Sequence, residues 1–251
     1  MDSSVKNYLY RNPQLYEIVY PEPNEDTPQM CLEMFSKYLK NFPSSVLDIG
    51  CGTARDLEVI SRYCQDCWGI DYLPEMISYA RGIRPHLKLQ VGDMLAVRLQ
   101  RKFDVIMCMG STFMYNFSNT DVQNTLEIFS IHAHKKTLLI LDIRNASSFL
   151  SGGHFRERIE RKIDHPRFRA IFVSLHTFER REQLLIRERT WDIPGKGAIK
   201  DYCKYRLFFP MELEYLLNEK GFKVLGMFDN KELKKTDLSG QRLYVAALYK
   251  S

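Results

Sequence analysis

Val46-Leu-Asp-Ile-Gly-Cys-Gly-Thr-Ala-Arg-Asp56 runs from an apolar strand through a glycine turn into the start of a helix. A second apolar run ends in Asp71, about 20 residues beyond the turn. In a doubly wound α/β sheet, this arrangement holds a nucleoside-bearing ligand. The turn departs from a dinucleotide fingerprint in two places: Asp48 precedes the glycines, and Ala54 stands where a third glycine is expected. Glycines let backbone approach a ligand closely. An acid at the mouth, however, repels a pyrophosphate and suits a cation.

Outward from this turn, strand and helix alternate. Strands are predicted at 45–50, 67–71, 87–91, 103–109 and 136–143, and helices at 54–63, 74–82 and 120–133. Such alternation predicts a parallel sheet covered on both faces, with ligands bound beyond the carboxyl ends of the strands. Asp48, Asp71, Asp93, Ser111 and Arg144 fall at those ends. After Arg144 the pattern changes. Residues 154 to 209 alternate in β-branched and aromatic runs (168–178, 184–192 and 202–209), which predicts an antiparallel insertion of about three strands. Pro210 opens a helix to Lys220, Gly221 ends it, and strands at 222–229 and 242–249 finish the sheet.

Ahead of the turn, Tyr16 and Tyr20 are four residues apart and share a helix face, and Pro21 and Pro23 stop that helix. A second helix, Pro28 to Leu39, carries a buried stripe of Met30, Met34, Phe35 and Tyr38. The expected fold is thus a doubly wound, mostly parallel seven-stranded sheet with an N-terminal helical lid and an antiparallel β insertion. The expected divisions of this single domain, 1–251, are a lid (1–43), a cofactor-binding core (44–149), a substrate-side insertion (150–209) and a closing helix with two strands (210–251).

A chain of 251 residues, 45% apolar and 27% charged, fits one soluble globular domain. No apolar run reaches the ~18 residues of a membrane span, and the polar opening does not resemble a signal peptide. Six scattered cysteines read as reduced thiols of a cytoplasmic protein. Cys64 and Cys67 form a C-x-x-C pair, but nothing completes four zinc ligands, so no metal is expected. The net charge of +5 gathers between His154 and Trp191, where ten Lys/Arg face six Asp/Glu. These charges alternate with apolar residues, as on solvated strand faces, which favours a small-molecule substrate over a nucleic-acid groove. A homodimer is left open.

Three strand-end acids in order give the turn its chemistry. Asp71 can accept from both ribose hydroxyls, Asp48 can face an ammonium, and Asp93 can accept from an adenine amine with Met94 on the ring. S-adenosylmethionine, which carries an ammonium, a carboxylate and a sulfonium, fits that set.

Together VLDIGCGTARD, GIDYLPEMISYAR, VGDM and FDVIMCMGSTFMY resemble a class I S-adenosylmethionine-dependent methyltransferase over residues 45 to 143, about two fifths of the chain. The outer segments LYEIVY, LDIRNASSFLSGG and GKGAIKDYCKYRLFFPMELEYLLNEKGF are similar to glycine and sarcosine N-methyltransferases and to N,N-dimethyltransferases of deoxyaminosugars. The resemblance implies a cofactor site of Asp48, Gly50, Cys51, Gly52 and Arg55, then Asp71, Tyr72 and Met76, then Gly92, Asp93 and Met94, with Met109 and Gly110 along the methionine part. It makes Tyr16 and Tyr20 parts of a lid. Arg144 stands where glycine-type enzymes hold the substrate carboxylate; its alternative is an ion pair with Asp142 or a C-terminal acid. Ser111 and Tyr115 replace an asparagine and a histidine of the glycine-type enzymes, which argues against glycine itself. Tyr115 and Phe113 have an alternative as plain core aromatics.

Methyl transfer needs in-line orientation and exclusion of bulk water more than covalent help from the protein. A neutral amine attacks without a placed base, whereas a hydroxyl usually needs one. Among candidate bases, His132 and His134 end a predicted helix, where a cation suits the dipole. His154, His165 and His176 sit in the insertion, and His176 is the best placed to roof a pocket. Candidate catalytic residues are therefore Tyr16, Tyr115, His176 and Arg144. The expected function is methylation of a small-molecule amine, amino-acid-like or amino-sugar-like. The alternatives are O-methylation of a small hydroxyl, carboxylate or phosphonate metabolite, a nucleic-acid methyltransferase, and a cofactor-binding partner subunit without activity.

Overall fold

The computed structural model describes residues 7–20, 26–151 and 155–250. Pro21, Pro23 and His154 lie outside them. The apolar runs become β1 (Ser45–Ile49), β2 (Asp66–Asp71), β3 (Lys88–Val91), β4 (Phe103–Cys108) and β5 (Ala133–Arg144). Helices α1 (Pro13–Val19) and α2 (Asp26–Tyr38) precede them, and α3 (Arg55–Ile60), α4 (Pro74–Ile83) and α5 (Asn119–Ile131) connect them. After α6 (Ala146–Ser151) come β6 (Arg158–His165), β7 (Phe168–Glu179), β8 (Leu184–Ile193) and β9 (Gly197–Arg206). Helix α7 (Pro210–Glu219) and strands β10 (Phe222–Phe228) and β11 (Arg242–Tyr249) close the chain.

Seven strands form one sheet in the order β3-β2-β1-β4-β5-β11-β10. It is parallel from β3 to β5, and β11 runs antiparallel to both of its neighbours. The strand order reverses between β1 and β4, which is where open α/β sheets bind ligands. Every residue of β1 is buried, as a central parallel strand requires. Within the helices, prolines pre-set the first turn at Pro13, Pro74 and Pro210, and Ser118 with Asp121 forms a capping box on α5. No helix among the described residues is long and apolar enough to cross a membrane.

The insertion is a separate antiparallel sheet of four strands, not three, in the order β6-β7-β8-β9. The additional strand β6 is an edge, and the only apolar residues in Arg158-Ile-Glu-Arg-Lys-Ile-Asp-His165 are two isoleucines. Charges blunt such an edge against mispairing and also hide its alternation. The last strand begins at Gly197 rather than at 202, because Lys196 N donates to Ile193 O at 2.9 Å and closes a tight turn through Gly195 and Gly197, both with positive φ. Residues 207–209, expected in that strand, lie beyond its end at Arg206.

Between the lid and the insertion, Leu9 packs with Phe168, Phe172 and Trp191, flanked by Leu15, Tyr16 and Ile18. Helix α1 buries none of its residues completely and leans on this cluster. The turn before α1 and the helix itself thereby bring Tyr10 and Tyr16 to the carboxyl ends of β1, β2 and β4, where they share a cleft with Asp48, Asp71 and Met109.

Candidate active site

Asp48 is the one charged residue of β1 and is only 2% exposed. One carboxylate oxygen, Oδ1, is buried with no hydrogen-bond partner. Burial, and then the charges of Asp56 and Asp71, push its pKa well above the ordinary carboxylate value. Beyond it the chain turns sharply. Gly50 and Cys51 both donate to Ile70 O, at 2.8 and 2.9 Å, which ties the turn to β2. Gly50 has φ +83°, and a Cβ there would come within 2.8 Å of Thr112 Cβ. Gly52 has φ +56° and faces open space.

Asp71 holds the turn from the neighbouring strand. Its Oδ2 accepts from Gly52 N at 2.8 Å and its Oδ1 from Leu73 N at 2.9 Å. Burial raises its pKa, and these two bonds partly offset that rise. Gly92 N donates to Asp71 O at 2.9 Å, which brings the end of β3 alongside, and Asp93 Oδ1 accepts from Leu95 N at 2.9 Å.

The opposite wall follows β4. Gly110 N donates to Asp142 Oδ2 at 3.1 Å, and Ser111 N to the Asp142 carbonyl at 2.9 Å. Arg242 of β11 forms an ion pair with Asp142 and donates to Ser111 Oγ at 3.0 Å. A short 3-10 turn, Thr112–Tyr115, then carries Tyr115 inward. Its hydroxyl lies 3.2 Å from that of Tyr10 and 3.4 Å from Cys203 Sγ on β9.

These walls enclose a cleft of about 970 Å³ of atom-free space, its mouth included. The structure brings onto it Asp48, Gly50, Cys51, Gly52, Arg55, Asp71, Tyr72, Met76, Gly92, Asp93, Met94, Met109 and Gly110, together with Tyr16 and Tyr115. Three expected residues do not line it. Tyr20 is 44% exposed at the end of α1; its ring stacks 5.1 Å from that of Tyr16 and its carbonyl accepts from Arg55. Arg144 lies behind Tyr205, with its guanidinium 5.6 Å from that ring and 5.7 Å from Phe149. Because Asp142 pairs with Arg242, the alternative of an Arg144–Asp142 ion pair fails. His176 faces a second cavity beside the insertion.

The histidines also correct the sequence expectations. His132 is 1% exposed; its Nδ1 donates to Ile128 O at 2.7 Å and its Nε2 accepts from Leu99 N at 3.0 Å, so burial keeps it neutral rather than a helix-end cation. His134 belongs to β5 and reaches Asp104 at 2.9 Å. Burial and nearby arginines push His176 down to about 4, so it is a weak base at neutral pH. Desolvation pushes Tyr16 up to about 12 and raises Tyr10 and Tyr115 as well, so these phenols stay protonated. Among the described residues no group of His, Cys, Asp and Glu is placed to hold a metal, and Cys67 Sγ donates to Cys64 O.

Sequence reading missed Tyr10, Thr53 and Thr112 on the cleft, and Arg84 behind it. Arg84 is 7% exposed and joins two parts of the site: it donates to Thr53 O at 3.1 Å and to Glu17 Oε1 of the lid at 3.3 Å. Tyr10 precedes α1, outside its helical phase. Arg84 follows the amphipathic stripe of α4, and neither position carries a local pattern.

Comparison with known proteins places this geometry. Residues 46–133 match the family model described as "Methyltransferase domain". The chain is 29% identical over 99 residues to the dTDP-3-amino-3,4,6-trideoxy-alpha-D-glucopyranose N,N-dimethyltransferase of Streptomyces venezuelae, covering 39% of this chain and 42% of the relative. It is 24% identical over 131 residues to the dTDP-3-amino-3,6-dideoxy-alpha-D-glucopyranose N,N-dimethyltransferase of Streptomyces fradiae, covering 51% of each. The matched segments therefore span about half or less of these relatives' own lengths. A solved S-adenosylmethionine-dependent methyltransferase from Clostridium acetobutylicum superposes with a TM-score of 0.81 at 18% identity, over 98% of this chain and 100% of that one. The fold is that of the Rossmann-like methyltransferases, with an antiparallel sheet inserted.

Proposed function

We propose that this chain is an S-adenosylmethionine-dependent methyltransferase whose acceptor is the amine of a small molecule, amino-sugar-like or amino-acid-like. The observation that carries this reading is Asp48, a buried acid with an unpartnered oxygen facing a glycine turn, with Asp71 and Asp93 at the next strand ends. Such an orphan acceptor awaits a donor, and a cation serves it best. Thr53 Oγ1, a second buried orphan, lines the same cleft. Open space at Gly52 and Gly110 leaves room for a ligand against bare backbone.

S-adenosylmethionine, when bound, supplies an electrophilic methyl carbon on a sulfonium. Asp48 then holds the positive end of the methionine part, and Asp71 accepts from ribose hydroxyls through lone pairs left over from its two backbone bonds. Asp93 and Met94 serve the base, while Met109 and Gly110 supply backbone along the methionine part. Tyr10, Tyr16 and Tyr115 close the side of the cleft under the insertion, where aromatic faces suit positive charge and keep out water. Their hydroxyls remain protonated, so they position the acceptor and do not act as bases. An amine that has already lost its proton to solvent needs no base. Both curated relatives are N,N-dimethyltransferases, which supports nitrogen as the acceptor atom.

The test is to incubate the purified chain with methyl-deuterated S-adenosylmethionine and matched amino and hydroxyl forms of sugars and carboxylic acids, then analyse products by mass spectrometry. Label on the amino compounds is expected. Label confined to hydroxyl compounds would overturn the acceptor assignment.

A further inference from the structure

Across β7, β8 and β9 the register puts His176 opposite Arg187 and Arg187 opposite Cys203, so Arg187 stands in the middle of one face of the insertion. Side chains alternate along a strand, and Asp201 and Tyr205 therefore share that face with Cys203. The face is turned into the protein, since Arg187, Asp201, Cys203 and Tyr205 are all buried. A charge in such a place needs partners.

Arg187 finds them in two directions, and both lead to Tyr10. In the first, its Nη1 donates to the Tyr205 hydroxyl at 3.2 Å. The Cys203 thiol reaches that hydroxyl and lies 3.4 Å from the hydroxyl of Tyr115, which is 3.2 Å from that of Tyr10. In the second, Arg187 pairs with Asp201 at 3.5 Å. Asp201 accepts from Trp191 Nε1 at 2.7 Å and from the backbone N–H of Tyr8 at 3.3 Å, two residues before Tyr10. The arginine is thus connected to the Tyr10 hydroxyl through a row of polar hydrogens, and to the backbone beside Tyr10 through Asp201.

A guanidinium only donates, so Tyr205 accepts from Arg187 and has its own hydrogen left for the next member of the row. Each hydroxyl beyond it gives one hydrogen and keeps an oxygen lone pair to spare. Tyr10 and Tyr115, at the end of the row, line the cleft that holds Asp48. Desolvation offsets most of the attraction within a buried ion pair, so the Arg187–Asp201 contact does little for stability. What it supplies is a fixed planar donor. We propose that Arg187, from behind the cleft wall, is a positioning residue for methyl transfer: it orders the hydroxyls of Tyr115 and Tyr10 so that their oxygens face the transferring methyl and the acceptor amine. An oxygen that accepts from the amine N–H leaves the nitrogen lone pair free for the methyl. This assignment deepens the methyltransferase reading and rests on it.

The test is calorimetric titration of the full chain with S-adenosylhomocysteine and with sinefungin, in which an amine-bearing carbon replaces the methylated sulfur of S-adenosylmethionine. The sinefungin amine probes the oxygens around the methyl without any acceptor being known. Tyr10→Phe and Arg187→Met should each weaken sinefungin by about tenfold and leave S-adenosylhomocysteine affinity unchanged. The double variant should lose no more than Tyr10→Phe alone, because the arginine acts through the tyrosine. Arg187→Lys, which keeps the charge and a donor, should recover part of the loss. Equal weakening of both ligands in Arg187→Met would make the arginine merely structural and overturn the proposal. Unchanged sinefungin affinity in that variant, or additive losses in the double variant, would overturn it too. If Arg187→Met fails to fold by circular dichroism, Tyr205→Phe breaks the row at its first hydroxyl and is read in the same way. Failure of both nucleosides to bind the wild-type chain would instead overturn the methyltransferase reading, and this proposal with it.

Discussion

Asp48 is a cost to the ligand-free fold, because its Oδ1 is buried without a hydrogen-bond partner. Its carboxyl is buried on the central strand, and its pKa lies above the value of 3.8 expected in an unfolded chain. Between those two values the folded state binds the extra proton. Stability therefore falls as pH rises from about 4 and levels off above the folded-state pKa. Asp48→Asn removes that term. It should raise the Tm of the ligand-free protein by about 2–4 °C at neutral pH and flatten its pH dependence. The same substitution should weaken S-adenosylmethionine binding by about 10- to 100-fold, because a charge-assisted contact is lost. Thermal melts across pH, with and without the ligand, check both halves. A lower Tm with unchanged binding would make Asp48 a structural acid. His176 contrasts with Asp48: burial among arginines leaves it neutral at pH 7, and its Nδ1 donates to Arg156 O at 3.0 Å. It lines the second cavity and not the cleft that holds Asp48.

The turn between β1 and α3 works as a unit because three elements hold it: β2 through Ile70 and Asp71, the Thr112 turn against Gly50, and α4 through Arg84. Gly50→Ala would add both a strained φ and an overlap with Thr112, and should cost about 2–4 kcal/mol by denaturant melts. Gly52→Ala meets no protein atom, so its added methyl should reduce ligand affinity more than stability; the reverse order would remove the close-approach role of Gly52. The elements β1, β2, β4 and β5 were legible from sequence because largely buried parallel strands read as apolar runs, and β2 and β5 also end in a charged residue. The insertion was only partly legible. The charged edge β6 concealed its pattern, and the inward row of Ser174, Arg189, His176 and Arg187 put polar groups where a core face is normally apolar. Pairings between distant residues, such as Arg242 with Asp142 and Arg84 with Glu17, follow from sheet order and helix packing that no local spacing encodes.

Across the whole molecule, the two sheets divide the work. The seven-stranded sheet supplies the acids and the glycine turn, and the four-stranded sheet lays its inner face over them through Cys203 and Tyr205. The N-terminal helix α1 and the turn before it lie between, packed on the insertion at Trp191 and tied to the glycine turn through Glu17 and Arg84. The methyltransferase-domain match covers residues 46–133, which hold the glycine turn and the three strand-end acids, and stops before the four-stranded insertion. The decisive property is therefore which nucleoside ligand the cleft accepts. Calorimetric titration of the full chain with S-adenosylmethionine and, separately, with NAD measures it directly. We predict saturable one-to-one binding of S-adenosylmethionine and none of NAD, because Asp48 attracts an ammonium and repels a pyrophosphate. Binding of NAD, or no binding of S-adenosylmethionine, would contradict that assignment.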